Sequence, residues 1–270
     1  MTLAHVFGYV ALGAAVGALG TLIGAGGGFV LVPVLLFLFP REPAANLTAI
    51  SLAVVCANAL SGTAAYARLG RVDWRSAALF ALAGLPGSIL GAWLTHGIDR
   101  RWFDPLLGVT LMLGGLVVLV QRREPATRVT GEPTRTLVER GGKVQRYSPR
   151  IGLGMLVSVG VGVLSSVLGI GGGILHVPAM VYGLGFPTHI ATATSHAVVA
   201  ALTLAAVAVH AADGTLAPVL ARTLPIGAGA LLGAQLGARL STVVQGRWIL
   251  RALGAGLFAV GVRLLFPRTM

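Results

Sequence analysis

The chain has 270 residues, 56% of them hydrophobic and only 10% charged, against about 25% charged in an ordinary soluble domain. A net charge of +12 would point a soluble protein toward nucleic acid; here the basic residues flank apolar runs, where they read as a membrane-topology signal, and no nucleic-acid partner follows. Strict apolar/polar alternation is absent, which excludes a β-barrel, and the single cysteine, Cys56, lies in an apolar run, so neither a disulfide nor a thiolate metal cluster is available.

Runs free of Asp, Glu, Lys and Arg cover residues 1–40, 44–67, 76–98, 105–121, 151–212 and 223–238. A helical crossing needs about 20 apolar residues, so an all-α integral membrane protein with about 8–10 membrane helical segments is expected. Met1 to His5 has no basic stretch and the apolar run continues beyond any cleavage point, unlike a cleaved signal peptide. The first half offers apolar stretches at 5–39, 44–67, 75–96 and 104–121; the second offers 151–185, 188–211, 217–238 and 247–266. The opening stretch of each half is too long for one span and carries a glycine tract, Gly24-Ala25-Gly26-Gly27-Gly28 or Gly169-Ile170-Gly171-Gly172-Gly173. Each such glycine costs a helix roughly 1 kcal/mol relative to alanine. Each stretch is therefore expected to be a full helix, a break, and a shorter helix ending near Phe39 or Leu184.

The tracts lie 145 positions apart, and other segments match as well. Pro43 to Ser51 parallels Pro187 to Ser195, Gly91-Ala-Trp-Leu94 parallels Gly233-Ala-Gln-Leu236, and Arg101-Trp102 parallels Arg247-Trp248. The chain thus divides into a first membrane repeat (1–121), a polar basic linker (122–150) and a second membrane repeat (151–270). Eight basic residues in the linker place it in the cytoplasm by the positive-inside rule. If each tract lies within one crossing, each half has four spans, the repeats are parallel and both termini are inside. If each tract turns the chain around, each half has five crossings, the repeats are inverted and both termini are outside. Both arrangements put fourteen Lys and Arg inside and six outside. Precedent for inverted halves meeting at the bilayer midplane favours the second.

Carboxylates are confined to the linker and the ends of expected helices: Glu42, Asp73, Asp99, Asp104, Glu124, Glu132, Glu139 and Asp213. That argues against a cation substrate and a carboxylate-based coupling site. The polar groups left at membrane depth are neutral: Thr48, Ser51, Asn58, Ser61 and Thr63, then His176, Thr192, Thr194, Ser195, His196 and Gln235. Hydrogen bonding between helices is the plain alternative for each of them. A short helix starting after Gly28 or Gly173 points free N–H groups and partial positive charge at its own beginning, and glycine lets an anion approach that backbone. Two such starts facing each other would form an anion cradle without arginine; the competing role for the glycines is close helix packing. His196 and His210, fourteen apart, lack the second histidine pair that two haems require, and neither HExxH nor GxSxG occurs. No cofactor, metal or enzymatic activity is expected.

GAGGGFVLVP (24–33) and GIGGGILHVP (169–178), with NLTAIS (46–51), ATATS (191–195), ARLGRVDW (67–74) and GAQLGARL (233–240), resemble the sulfite exporter TauE/SafE family, also called the sulfonate uptake permease family. The resemblance implies a secondary carrier in the bacterial plasma membrane that moves sulfite, sulfoacetate or other sulfonates. It also raises His176 and Gln235, which stand where the family pattern often has them. The expected substrate-binding set is Gly26, Gly27, Gly28, Thr48, Ser51, Asn58, Gly171, Gly172, Gly173, His176, Thr192, Ser195 and Gln235. His176 and His196 are candidates for proton coupling, because histidine alone among the intramembrane groups titrates near neutral pH. The expected partners are a small anion and the lipid bilayer; the co-ion (proton or sodium) and homo-oligomerisation stay open. A passive anion channel, a non-transporting assembly factor and a membrane-embedded hydrolase are the rival readings, the last lacking a visible nucleophile–base pair.

Overall fold

The computed structural model describes residues 2–120, 134–241 and 247–266. The first half contains α1 (Leu3–Ile23), α2 (Gly28–Leu38), α3 (Ala44–Arg68), α4 (Trp74–Leu94, extended by a 3-10 turn, Thr95–Gly97) and α5 (Arg100–Val120). The second contains α6 (Ile151–Leu168), α7 (Gly173–Pro178, continued by a π-helical turn, Ala179–Gly183), α8 (Thr188–Ala212), α9 (Leu220–Leu240, led in by a 3-10 turn, Ala217–Val219) and α10 (Arg247–Leu265). Among the described residues, six helical segments are long and apolar enough to cross a membrane: α1, α3, α4 with its 3-10 turn, α6, α8, and α9 with its lead-in. The chain is a multi-pass helical membrane protein.

Both glycine tracts interrupt the helices. Gly24, Gly26 and Gly27 have φ of 84°, 73° and 86°, and Gly169, Gly171 and Gly172 have 70°, 77° and 77°, left-handed values that a side chain with a Cβ resists. Gly27 lies against Val16, eleven positions earlier, and Gly172 lies against Val161. In a continuing helix such pairs would be about 16 Å apart, so the chain folds back on itself at each break.

The helix directions follow from the close contacts. Along α1 and α9, Val10 meets Gly229, Ala14 meets Gly233 and Ala18 meets Gly237, a parallel pair. The α4–α6 pair is also parallel, with Gly84 against Ser158 and Gly91 against Val163. In both pairs a glycine faces a backbone carbonyl so closely that a Cβ could not be accommodated, the small-residue packing that membrane helices favour. By contrast α3 and α8 run antiparallel, Gly62 facing His196 and Leu52 packing with Ala206. So do α5 and α10, with Gly108 against Gly261 and Gly115 against Gly254. Helices α3 and α8 are the most enclosed, while Leu82, Leu156, Leu224 and Leu232 project outward where lipid would lie.

The described part of the linker, residues 134–150, is built against the helices. The linker residues up to 133, including Arg122, Arg123 and Arg128, lie outside the described residues, but β1 (Arg135–Val138) and β2 (Val144–Tyr147) pair antiparallel, Arg135 opposite Tyr147. This hairpin adds two four-residue strands to the all-α membrane fold. Its sequence signal is the Gly141-Gly142 pair between two short segments, with Gly142 at φ 80°. The hairpin docks on the α3–α4 loop. Arg71 Nε donates to Glu139 at 2.8 Å, and the Arg135 guanidinium and Tyr147 hydroxyl donate to Asp73 at 3.1 and 2.9 Å. Asp73 also caps α4 by accepting from the Ser76 N–H and hydroxyl. Burial pushes the Glu139 carboxyl up, yet hydrogen bonds from Arg71 and Gln145 outweigh it and hold the group below its ordinary range.

Candidate functional site

The two breaks meet each other. Gly28 abuts the carbonyls of Gly169 and Ile170, and Gly173 abuts Ala25 and the Gly24 carbonyl. Val55 and Val199, near the middle of the 25-residue α3 and α8, both press on Gly26 and on Gly171. The meeting point therefore stands at half the height of the central helices, and residues 24–28 and 169–173 are all buried.

The local hydrogen bonding explains what is left over. The Gly20 carbonyl accepts from Ala25 and Gly26, while Val30 and Leu31 donate to Gly27, and Leu175 and His176 donate to Gly172. Neither α2 nor α7 has a side-chain cap. Among the described residues no acceptor reaches the N–H groups of Gly28 and Phe29, nor those of Gly173 and Ile174. Two helix starts thus present unpaired donors and partial positive charge inside the protein.

Several of the side chains expected from the sequence surround these breaks. Thr48 packs on Gly169 and Thr192 on Gly24, although the Thr48 hydroxyl donates to Ala45 O in its own helix. Ser51 donates to Gly169 O at 2.6 Å, whereas the buried Ser195 hydroxyl has no partner among the described residues. Asn58 donates to Gly26 O at 3.1 Å and accepts from Thr21 Oγ1 at 3.1 Å. The His196 ring lies edge-on to Tyr66, its Nε2 3.3 Å from Thr21 Oγ1, and the Tyr66 hydroxyl donates to Thr21 O at 2.7 Å.

Two expected members go elsewhere. Gln235 Nε2 donates to Ser61, to its carbonyl at 2.9 Å and its hydroxyl at 2.8 Å, which fastens α9 to α3. His176 points at Ser158 and the edge of Phe80, toward α6 and α4 and away from the breaks. A polar group in lipid takes whichever partner packing brings within reach, and that choice does not show in the chain order. Conversely, Thr21 and Tyr66 escaped the sequence reading. A lone threonine in an apolar helix looks like packing, and only its place three residues before Gly24 marks it. The described carboxylates stay at or near element ends, ion-paired to Arg222 (Glu42), Arg135 (Asp73), Arg101 (Asp99), Arg100 (Asp104) and Arg71 (Glu139), with Asp213 beside two histidines. The arrangement offers amide and neutral side-chain donors at a buried midpoint, which suits an anion.

Comparison with known proteins supplies the chain's relatives. Residues 9–264 match the family described as sulfite exporter TauE/SafE. The chain is 30% identical over 264 residues to the Bacillus subtilis protein named probable membrane transporter protein YunE, covering 95% of this chain and 96% of that one. It is 31% identical over 188 residues to a probable membrane transporter protein of Xylella fastidiosa, covering 70% and 67%. A probable membrane transporter protein of Methanocaldococcus jannaschii, MJ0441, is 25% identical over 176 residues, covering 63% and 60%. No solved structure matches the chain.

Proposed function

The chain belongs to the sulfite exporter TauE/SafE family of membrane transporters, and from that premise we propose that it carries a small sulfur-containing oxyanion, such as sulfite, sulfoacetate or another sulfonate, through a site between the two breaks. The observation that carries this reading is the pair of unpaired helix starts at Gly28 and Gly173, buried and adjacent at the middle of α3 and α8. Sulfonate oxygens accept several weak, spread hydrogen bonds, and amide N–H groups supply them without fixing the anion as an arginine would. Gly26 to Gly28 and Gly171 to Gly173 form the cradle. Thr48, Ser51, Asn58, Thr192 and Ser195 line it, and Thr21 with His196 backs the first break. Gln235 and His176 serve helix packing.

In this reading the halves are inverted repeats in a bacterial plasma membrane, with the linker cytoplasmic and both termini outside. The antiparallel α3–α8 and α5–α10 pairs and the fold-back at each break support it. The described state is closed, each helix start pressed against the opposite break's backbone. An anion enters when the two break-bearing hairpins part, α1–α2 moving with α9 and α6–α7 moving with α4. An inside-negative potential of 100 mV drives each anionic charge outward by about 2.3 kcal/mol, so export needs no co-ion. Uptake would need one, and a proton carried through His196 is the available route.

The test is flux of labelled sulfite and sulfoacetate in proteoliposomes, joined to a thermal-shift panel of sulfite, sulfate, sulfoacetate, taurine and arenesulfonates. Saturable flux with counter-flow exchange supports a carrier. Linear flux without exchange assigns a channel, and absence of a shift with every anion removes the site.

A further inference from the structure

Helix α4 starts at the hairpin-bound Asp73 and carries the chain to the opposite face, where His96 sits in the 3-10 turn. Helix α8, antiparallel to α3, ends on that same face at His210 and Asp213. One ligand atom from each of His96, His210 and Asp213 lies within 4.8 Å of the other two. His96 Nε2 is 3.0 Å and His210 Nδ1 3.9 Å from the same carboxylate oxygen, Asp213 Oδ2. A tetrahedral Zn2+ with bonds of about 2.0–2.1 Å keeps its donors about 3.4 Å apart, between those two distances.

We propose that His96, His210 and Asp213 bind a divalent transition metal of the Zn2+ type on the face opposite the hairpin. The hydrogen bonding around the cluster argues for a cation. His96 Nδ1 is 3.0 Å from Trp93 O, an acceptor, so Nδ1 carries the proton. Neutral Nε2 then directs a lone pair at the Asp213 carboxylate, a contact that requires positive charge in between. Anchoring the far ring nitrogen on a backbone carbonyl is the usual support of a metal-binding histidine. The Asp213 Oδ1 atom is occupied by the Thr215 N–H and hydroxyl, which leaves Oδ2 for the imidazoles. His210 is 0% exposed and, among the described residues, neither ring nitrogen has a hydrogen-bond partner, a rare condition for buried nitrogen that a metal would relieve at Nδ1. Thr215 Oγ1, 2.9 Å from His96 Nε2, or a water completes the coordination.

The fold itself does not demand an imidazole and a carboxylate there. Tyr66 and Leu69 stand 144 positions before His210 and Asp213, and at the other end of the bundle they pack in an apolar cluster with Val72, Ala193 and Ala238. The competing occupant is a proton, which would make His96 an imidazolium paired with Asp213.

Tag-free protein stripped with chelator and equilibrated with Zn2+ or Co2+ decides between them. The metal site predicts one Zn2+ retained per chain and ligand-field bands of four-coordinate Co2+. In His96→Ala and Asp213→Asn, whose side chains are partly exposed, affinity falls at least about 100-fold while gel-filtration behaviour and metal-free melting are kept. Zn2+ retention equal in wild type and both variants, or none in the wild type, overturns the site and leaves the proton. The readout is metal content and absorption, so it succeeds or fails independently of anion transport.

Discussion

The two breaks share a backbone but not their surroundings. Each has three left-handed glycines at the same spacing, folds back on a valine eleven positions earlier, and is packed by a threonine from the first turns of α3 or α8. Around the first, Thr21, Asn58, Tyr66 and His196 form a connected polar group. Around the second, Ser166 pairs with Ser88, which donates to Leu202 O. Leu202 and Leu52 stand where repeat spacing pairs them with Asn58 and His196. The backbone that would hold an anion is thus duplicated, while the larger polar side chains, Asn58, Tyr66 and His196, gather at the first break and serines serve the second. Holding the anion and tuning its release or coupling are separable tasks in such an arrangement.

The largest expected effect comes from attacking what the breaks share. Gly27→Val combined with Gly172→Val puts β-branched residues at left-handed φ, about 1–2 kcal/mol each, and drives them into Val16 and Val161. Transport is expected to fall at least 100-fold, roughly 2.7 kcal/mol by rate. Flux retained in folded double variant would end the cradle assignment. Next comes Asn58→Leu, which makes the first break resemble the second. It leaves Gly26 O without its Asn58 donor and Thr21 Oγ1 with His196 alone, at about 1–3 kcal/mol, and should weaken the first break's anion response much more than Leu202→Ala does. Equal losses would dissolve the asymmetry. The serine pair gives a finer comparison. Ser51→Ala removes a 2.6 Å bond to Gly169 O and should cost about 1 kcal/mol in melting. Ser195→Ala removes a hydroxyl without a partner and should stay within about 0.5 kcal/mol; it should nonetheless reduce the anion-induced thermal shift. His196→Ala should flatten the pH dependence of any uptake, and His176→Ala should leave it intact.

The smallest effect lies outside the membrane. Folding lowers the Glu139 carboxyl below its ordinary value, so the Arg71–Glu139 contact stabilises the docked hairpin above about pH 4.5 and is lost as pH falls through the lowered value. Glu139→Gln should remove that acid-dependent part of the melting curve, less than about 1 kcal/mol, with no change at neutral pH in the anion response.

Element boundaries were readable because charge-free runs and glycine tracts are local signals. The expected stretch 5–39 became α1, a break and α2 with Phe39 at its end, and 151–185 became α6, a break and α7 with its π-helical turn stopping before Leu184. Lateral partners were not readable. Gln235 could have met any donor or acceptor on a neighbouring helix, and it met Ser61. The His96–His210–Asp213 cluster joins positions more than a hundred residues apart that no spacing motif links. The hairpin was hidden because neither Arg135-Thr-Leu-Val138 nor Val144-Gln-Arg-Tyr147 alternates polar with apolar residues, so no strand period marks them.

Helix α1 finds its main glycine-to-carbonyl partner in α9, more than two hundred residues downstream, while α6 rests on α4. A nascent chain emerging from the ribosome must therefore hold its first segment in lipid, incompletely paired, until nearly the whole polypeptide has been synthesised. Expressed alone, residues 1–121 should be captured by quality-control proteases, and supplying the remaining segment in trans should rescue them.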